Sequence, residues 1–347
     1  MHYLQIIVLG IVEGVTEFLP ISSTGHLLIA EALGLGHEPD VFNVVIQAGA
    51  ILAVFLIYWN KIYSLVKHID NPAARNYLLK VGLAFLTTCV LLVIFVMHFK
   101  LHLPESLVPV AWATLIGGLV IFLIEFLAKN LYAHDDISWP EAALMGAAQV
   151  LAAAFPGASR SGCTIMTGLA CGIKRPAATE FSFLLGIPTM FAASALDLFR
   201  YRKQLLDGDH QLGMDILVGF FVSMAVAFFV VKWLIRFVQS HTFNGFAIYR
   251  LILGVILLVA LATHALPDVG LKPPEAEKAA KTEAAPTMSA PAVNAVTNTA
   301  GQTVQTPATP IPTMAPASAP TTNTDTTSSA PAPTPVTNAP STNAPAQ

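Results

Sequence analysis

Six stretches of this chain are predominantly apolar for about the thickness of a lipid bilayer: residues 41–59, 81–99, 106–127, 177–196, 216–235 and 247–265. A hydrocarbon core of ~30 Å takes ~20 apolar residues per helical span. Only helices or closed barrels satisfy their backbone in lipid. Runs of this length predict an all-α integral membrane protein with six transmembrane helices. The composition agrees, with 54% hydrophobic and only 11% charged residues. The formal net charge of -3 points to no nucleic-acid partner. Cys89, Cys163 and Cys171 lie in apolar surroundings with no Cys-x-x-Cys spacing, which reads as buried thiols rather than disulfides or a zinc site. No cleavable signal peptide is expected, because the first apolar run carries Glu13 and Glu17 and lacks a basic leader.

Two further apolar segments are broken by polar runs. Residues 4–34 are interrupted at Pro20 and Ser22-Ser-Thr-Gly25, and residues 141–172 at Pro156-Gly157 and Ser159-Arg-Ser-Gly162. Each piece is too short to span. Non-helical backbone at membrane depth is tolerated only where it lines a protein-enclosed or watery cavity. Both are therefore predicted to be re-entrant helical hairpins. They resemble each other: at an offset of 136, Gly10 matches Gly146, Glu13 matches Gln149 and Pro20 matches Pro156, and one residue further on Ser22–Gly25 matches Ser159–Gly162. Three spans separate the hairpins, so they enter from opposite faces. This is an inverted repeat with halves of about 1–130 and 141–267, in which a site forms near the midplane.

Lys and Arg in the short loops set the orientation. One set of loops carries Lys61, Lys67, Arg75, Lys80, Lys129, Lys174, Arg175, Lys232 and Arg236; the other carries Lys100, Arg200, Arg202 and Lys203. The first set is expected in the cytoplasm, which turns the mouth of the first hairpin outward. Residues 270–347 contain no Phe, Tyr or Trp and are rich in Ala, Pro and Thr. That composition predicts a disordered tail with no essential part in the chemistry.

The polar runs are where the chemistry is expected. Glu13 and Glu17, four residues apart, share a helix face. An ionised carboxylate at mid-bilayer costs roughly 2.5–3.5 kcal/mol. The pair therefore calls for a hard divalent cation such as Mg2+ or Ca2+, a proton or a basic partner. Ser22, Ser23 and Thr24 suit a helix N-cap, and a helix N-terminus suits phosphate. Ser23 becomes a nucleophile if a base takes its proton, and both Glu17 and His26 are candidates. Arg160 is the only Lys or Arg between Lys129 and Lys174. A guanidinium at that depth needs an anion, either Glu13 or Glu17 or the oxygens of a phosphate. Ser159, Ser161 and Thr164 would add hydroxyl donors. No Gly-x-x-x-x-Gly-Lys-Ser/Thr loop is present, which argues against a nucleotide. Such a set suits a phosphorylated lipid, whose long apolar chain explains a site within the membrane.

The motifs Glu-Gly-x-Thr-Glu-Phe-Leu-Pro-x-Ser-Ser-Thr-Gly-His at 13–26 and Pro-Gly-x-Ser-Arg-Ser-Gly-x-Thr at 156–164 resemble those of the undecaprenyl-diphosphatase family of the bacitracin-resistance type. The similarity covers roughly residues 1–267. It implies a bacterial inner-membrane enzyme that removes the terminal phosphate of undecaprenyl diphosphate, depends on a divalent cation and opens its site to the outer face. It implies catalytic roles for Glu17, Ser23, His26 and Arg160, and supporting roles for Glu13 and Ser22, with the polyprenyl diphosphate lipid and the bilayer as partners. A homodimer is among the assemblies the sequence permits. Attack on phosphorus by Ser23 and direct attack by water both stand open, as do a transporter of the lipid phosphate and a membrane scaffold working through its tail.

Overall fold

The computed structural model of the chain describes residues 2–36, 38–99, 107–206 and 210–266. Among them are eleven helices and no strand: α1 (His2–Thr16), α2 (Ser23–Ala32), α3 (Asp40–Ile57), α4 (Trp59–Lys67), α5 (Pro72–Phe99), α6 (Leu107–Ala128), α7 (Trp139–Ala154), α8 (Arg160–Ala170), α9 (Arg175–Leu206), α10 (His210–Ser240) and α11 (Asn244–Ala262). The segment expected to form a tail lies outside the described residues.

Five helices are long and apolar enough to cross a bilayer, namely most of α5, α6, α9 and α10, and α11. A sixth is added if α3 and α4, bent by 62° between Ile57 and Trp59, are taken as one span. The bend has a compositional cause. Beyond Ile57 the chain turns amphipathic, with Asn60, Lys61, Ser64 and Lys67, and no residue of α4 is buried. The outward faces are aliphatic. Leu86, Val93 and Met97 on α5 and Ile116, Leu119 and Leu123 on α6 are all exposed, where a water-soluble surface would carry charge. This is a multi-pass membrane protein.

Three helices outrun the apolar segments that signal them. The run 81–99 lies within the 28 residues of α5, 177–196 within the 32 of α9, and 216–235 within the 31 of α10. Their polar end turns stay helical once the apolar middle has nucleated, because extending a helix costs far less than starting one. α9 continues through Pro188, which forfeits one backbone hydrogen bond.

The two broken segments form pairs of short helices. α1 has 15 residues and α2 has 10; α7 has 16 and α8 has 11. At 1.5 Å per residue each is shorter than the ~30 Å hydrocarbon core. α7 opens on a capping box, Ser138 accepting from the backbone of Glu141 and Glu141 accepting from Ser138 N. α1 packs against α2 and α10, α7 against α8 and α5, α3 against α9 and α10, and α6 against α11. The matched glycines both lie at close crossings: at Gly10 a Cβ would press on the carbonyl of Gly219 in α10, and at Gly146 one would press on that of Ala84 in α5. Phe18, just after α1, packs edge-on against Phe183 of α9 at 5.3 Å between ring centroids. Phe18 is completely buried in the main core with Met145, Ile165 and Phe181.

Candidate active site

The two breaks have one geometry. After α1, Glu17 N still reaches Glu13 O, but Pro20 has no N–H to continue the helix, and Ile21 N turns back to Leu19 O. Ser22 then takes φ 75° and its hydroxyl accepts from Gly25 N, capping α2. In the second break Ser159 takes φ 71° and accepts from Gly162 N, capping α8. Positive φ at a residue other than glycine costs on the order of 1–3 kcal/mol and persists only where the surroundings enforce it. Ser23 and Arg160, each following its strained serine, become the first residues of α2 and α8.

These first residues meet at Glu17. Ser23 Oγ donates to Glu17 Oε2 at 2.5 Å, and Arg160 Nη2 donates to Glu17 Oε1 at 3.3 Å. Glu17 is only 6% exposed and Ser23 only 7%. Arg160 also lies over the Phe18 ring, 5.6 Å from its centroid. Its Nε and Nη1 are buried without partners, so the guanidinium has donors to offer a further anion. Gly186 of α9 makes room for it, since a Cβ there would collide with Nη1. Glu17, Ser23 and Arg160 line a cavity of about 440 Å3, which Ser22, Thr24, Ser159, Gln47, Thr88, Gln149 and Thr189 also border.

Other expected site residues stand elsewhere. His26 is not on Ser23: its Nδ1 bonds the carbonyl of Ser22 at 2.6 Å and its Nε2 bonds the Tyr249 hydroxyl at 2.6 Å. The first helical turn of α2 carries the ring away from the Ser23 hydroxyl, and Tyr249 stacks against it. Of the two bases the sequence offers Ser23, Glu17 is the one in contact. Ser161 and Thr164 do not border the cavity. Ser161 Oγ donates to Leu19 O at 3.1 Å, and Thr164 is engaged with the carbonyls of Arg160 and Ser161 and with Ser182. Both are wholly buried, since the first turn of α8 points them into the protein, and they tie the second break to its neighbours. Ser159 shares that task through Leu19 O and Ser161 Oγ.

Sequence reasoning missed Arg250, midway along α11 and 1% exposed. Its guanidinium donates to Pro20 O in the first break and to Gly157 O and Ala158 O in the second. It also donates to Ala113 O and Thr114 O of α6. The signal was available, because an arginine inside an apolar span is a functional candidate by default.

Glu13 lies one helical turn before Glu17, and its Oε1 is buried without a partner. An orphaned carboxylate oxygen beside a second carboxylate suits a hard cation with oxygen ligands. Among the described residues no group of three or more His, Cys, Asp or Glu gathers around one point. Glu13 and Glu17 would therefore share any ion with hydroxyls, water or the ligand's own oxygens.

Together these features define a multi-pass helical membrane protein with a serine, a carboxylate and an arginine converging in a buried cavity from two broken segments. Residues 6–256 match the family of Bacitracin resistance protein BacA, and the chain belongs to that family. It is similar to the undecaprenyl-diphosphatase of Rhizobium johnstonii, 49% identical over 265 residues, which are 76% of this chain and 98% of the relative. It is 47% identical to the undecaprenyl-diphosphatase of Xylella fastidiosa over 259 residues, 74% of this chain and 97% of the relative. With that of Xanthomonas axonopodis it shares 48% over 260 residues, 75% of this chain and 97% of the relative.

Proposed function

We propose that this protein hydrolyses undecaprenyl diphosphate to undecaprenyl phosphate and inorganic phosphate. It would thereby return the lipid carrier to cell-wall synthesis and confer resistance to bacitracin. Family membership and the names of the relatives support the activity. The observation that carries the chemistry is the Ser23–Glu17 hydrogen bond beside an arginine with two unused donors.

Glu17 takes the Ser23 proton as Oγ attacks the terminal phosphorus, and the bond from phosphorus to the bridging oxygen breaks. Glu17 passes its proton to the departing lipid phosphate. Arg160 offers its unpaired Nε and Nη1 to phosphate oxygens as charge-assisted hydrogen bonds. His26 braces the turn through the Ser22 carbonyl. A divalent cation held by Glu13 and Glu17 would neutralise charge developing on the phosphate oxygens. Ser22, Thr24 and Ser159 border the substrate.

The same reading takes residues 1–267 as six spans and two re-entrant hairpins in an inverted repeat. Support comes from the matching strained serines, the paired glycine crossings and the shortness of α1, α2, α7 and α8. Family membership supports placement in the bacterial inner membrane, and the Lys and Arg balance of the loops favours a site open outward.

Phosphate release from undecaprenyl diphosphate by the purified full chain in detergent, with and without chelator, tests this. Release that a chelator stops is expected; no release at any metal concentration sinks the enzyme reading. Near-normal turnover by Ser23→Ala would exclude the serine nucleophile and leave direct attack by water. A second reading, translocation of a polyprenyl phosphate, is favoured by the paired broken helices, a plan common among transporters. Lipid movement in vesicles without hydrolysis would select it.

A further inference from the structure

Gln149 sits in α7 at the position that Glu13 occupies in α1, 136 residues earlier. Each has one side-chain oxygen buried without a partner: Oε1 of Glu13 and Oε1 of Gln149. Gln149 is 4% exposed and borders the cavity that holds Ser23, Glu17 and Arg160.

The hydrogen bonds around Gln149 fix which atom is left over. Its Nε2 donates to Thr88 Oγ1 at 2.8 Å and to Thr189 Oγ1 at 3.4 Å. Thr88 Oγ1 lies 2.9 Å from Ala84 O and 2.8 Å from Gly146 O, so its single proton is committed to the backbone. The Thr189 proton goes to Leu185 O at 2.9 Å. Both hydroxyls can therefore only accept from the amide. Turning the amide over would surround the one Thr88 proton with three acceptor oxygens. The amide oxygen is thus the free atom, and at this part of the wall Thr88, Thr189 and Gln149 have no donor to spare.

A lone acceptor selects its occupant. The oxygens of a diphosphate are acceptors themselves and are repelled, and an isoprenoid chain has no proton to give. Arg160, with its unused donors, is where the phosphate belongs. Of the reactants left, water alone brings a donor, and it needs only ~30 Å3 of a cavity of about 440 Å3.

We infer that Gln149 holds and aims the water that frees phosphate from phosphorylated Ser23; this rests on the proposed diphosphatase reaction. The water gives one hydrogen bond to Gln149 Oε1 and turns its lone pair to phosphorus. Glu17, a carboxylate again once the lipid phosphate has left, takes the other proton as the new P–O bond forms. The bond between phosphorus and Ser23 Oγ breaks, Oγ receives the proton from Glu17, and inorganic phosphate departs with the second hydrogen of the water.

The test compares wild type, Gln149→Ala and Gln149→Glu as full chains in detergent with undecaprenyl diphosphate. Steady-state kinetics are read alongside phosphopeptide mapping of acid-quenched enzyme. Gln149→Ala is expected to lose about 10²-fold in kcat with KM nearly unchanged, as misplacement of one reactant does. It should also accumulate phosphate on Ser23, which wild type does not. Gln149→Glu, in its protonated form, keeps the acceptor oxygen in place and donates its one proton to Thr88 Oγ1, as the amide does. It is expected to recover most of the lost kcat. A raised KM with intact kcat, equal losses in both variants, or a fall in kcat without phosphoserine overturns the inference. If Gln149→Ala fails to fold, the kcat of Gln149→Glu decides, and collapse of both makes Gln149 structural and overturns it. Failure of wild type to release phosphate would instead sink the diphosphatase reading.

Discussion

Glu17 faces Ser23 with one carboxylate oxygen and Arg160 with the other. One group therefore links the would-be nucleophile to the cation beside it. Glu17→Gln keeps the shape but cannot take a proton. It is expected to lower kcat for phosphate release about 10²–10⁴-fold, the usual worth of a positioned general base. Thermal unfolding in detergent, measured in parallel, separates this from loss of fold. This trio was legible because Glu17, Ser23 and Arg160 are costly in lipid without a common purpose. Neighbouring residues were less so. Spacing alone allowed His26 to reach Ser23, but the first turn of α2 and the Tyr249 hydroxyl, 223 residues away, direct its ring elsewhere. Ser161 and Thr164 belong to the same polar run as Arg160, yet a helix distributes successive side chains around its axis, and theirs point into the protein.

At the level of helices and turns, the strained serines carry the design. Ser22→Ala removes the cap of α2 and leaves a Cβ at φ 75°. Ser22→Gly loses the cap but relieves the backbone. Loss of a serine cap to alanine costs ~1 kcal/mol, and to glycine only a few tenths. Ser22→Gly is therefore expected to melt above Ser22→Ala, and the same order should hold for glycine and alanine at Ser159; a reversed order would show that these turns are not strained. At the α5–α7 crossing, Gly146→Val would drive its side chain into the Ala84 carbonyl. A cost of about 1–3 kcal/mol is expected, read as a lower melting temperature. The offsets of 136 for the glycines and 137 for the serines made these correspondences visible from sequence. The serine backbone angles were not, because nothing in the composition of Ser22-Ser-Thr-Gly separates a strained cap from an ordinary one.

On the scale of the molecule, two buried charges join elements that are distant in sequence. Glu125 at the end of α6 pairs with Arg175 at the start of α9 and accepts from Phe243 N between α10 and α11. Arg250 gathers five carbonyls from α6 and both breaks. Arg250→Ala strands those acceptors and is expected to cost upwards of about 3 kcal/mol. Arg250→Lys, with three donors instead of a five-donor fork, should fall between alanine and wild type. Melting curves in detergent rank the three, and alanine melting with wild type would refute the assignment. The long spans and their breaks could be read in the sequence because lipid enforces apolarity residue by residue. Arg250 could not be assigned a role, because its partners are main-chain oxygens that carry no sequence signature.

Arg250 also limits how the protein can move. Of its five bonds, three end in the breaks, Pro20 in one and Gly157 and Ala158 in the other. Ser161, reaching Leu19 O, adds a fourth stitch between the same two turns. A pump that exposes its site alternately to each side does so by rocking one repeat against the other. Here that rotation would tear a dry guanidinium off both turns at once. The two turns share one degree of freedom and travel together. For the proposed reaction, such a joint would hold the phosphate still while lipid arrives and leaves around it.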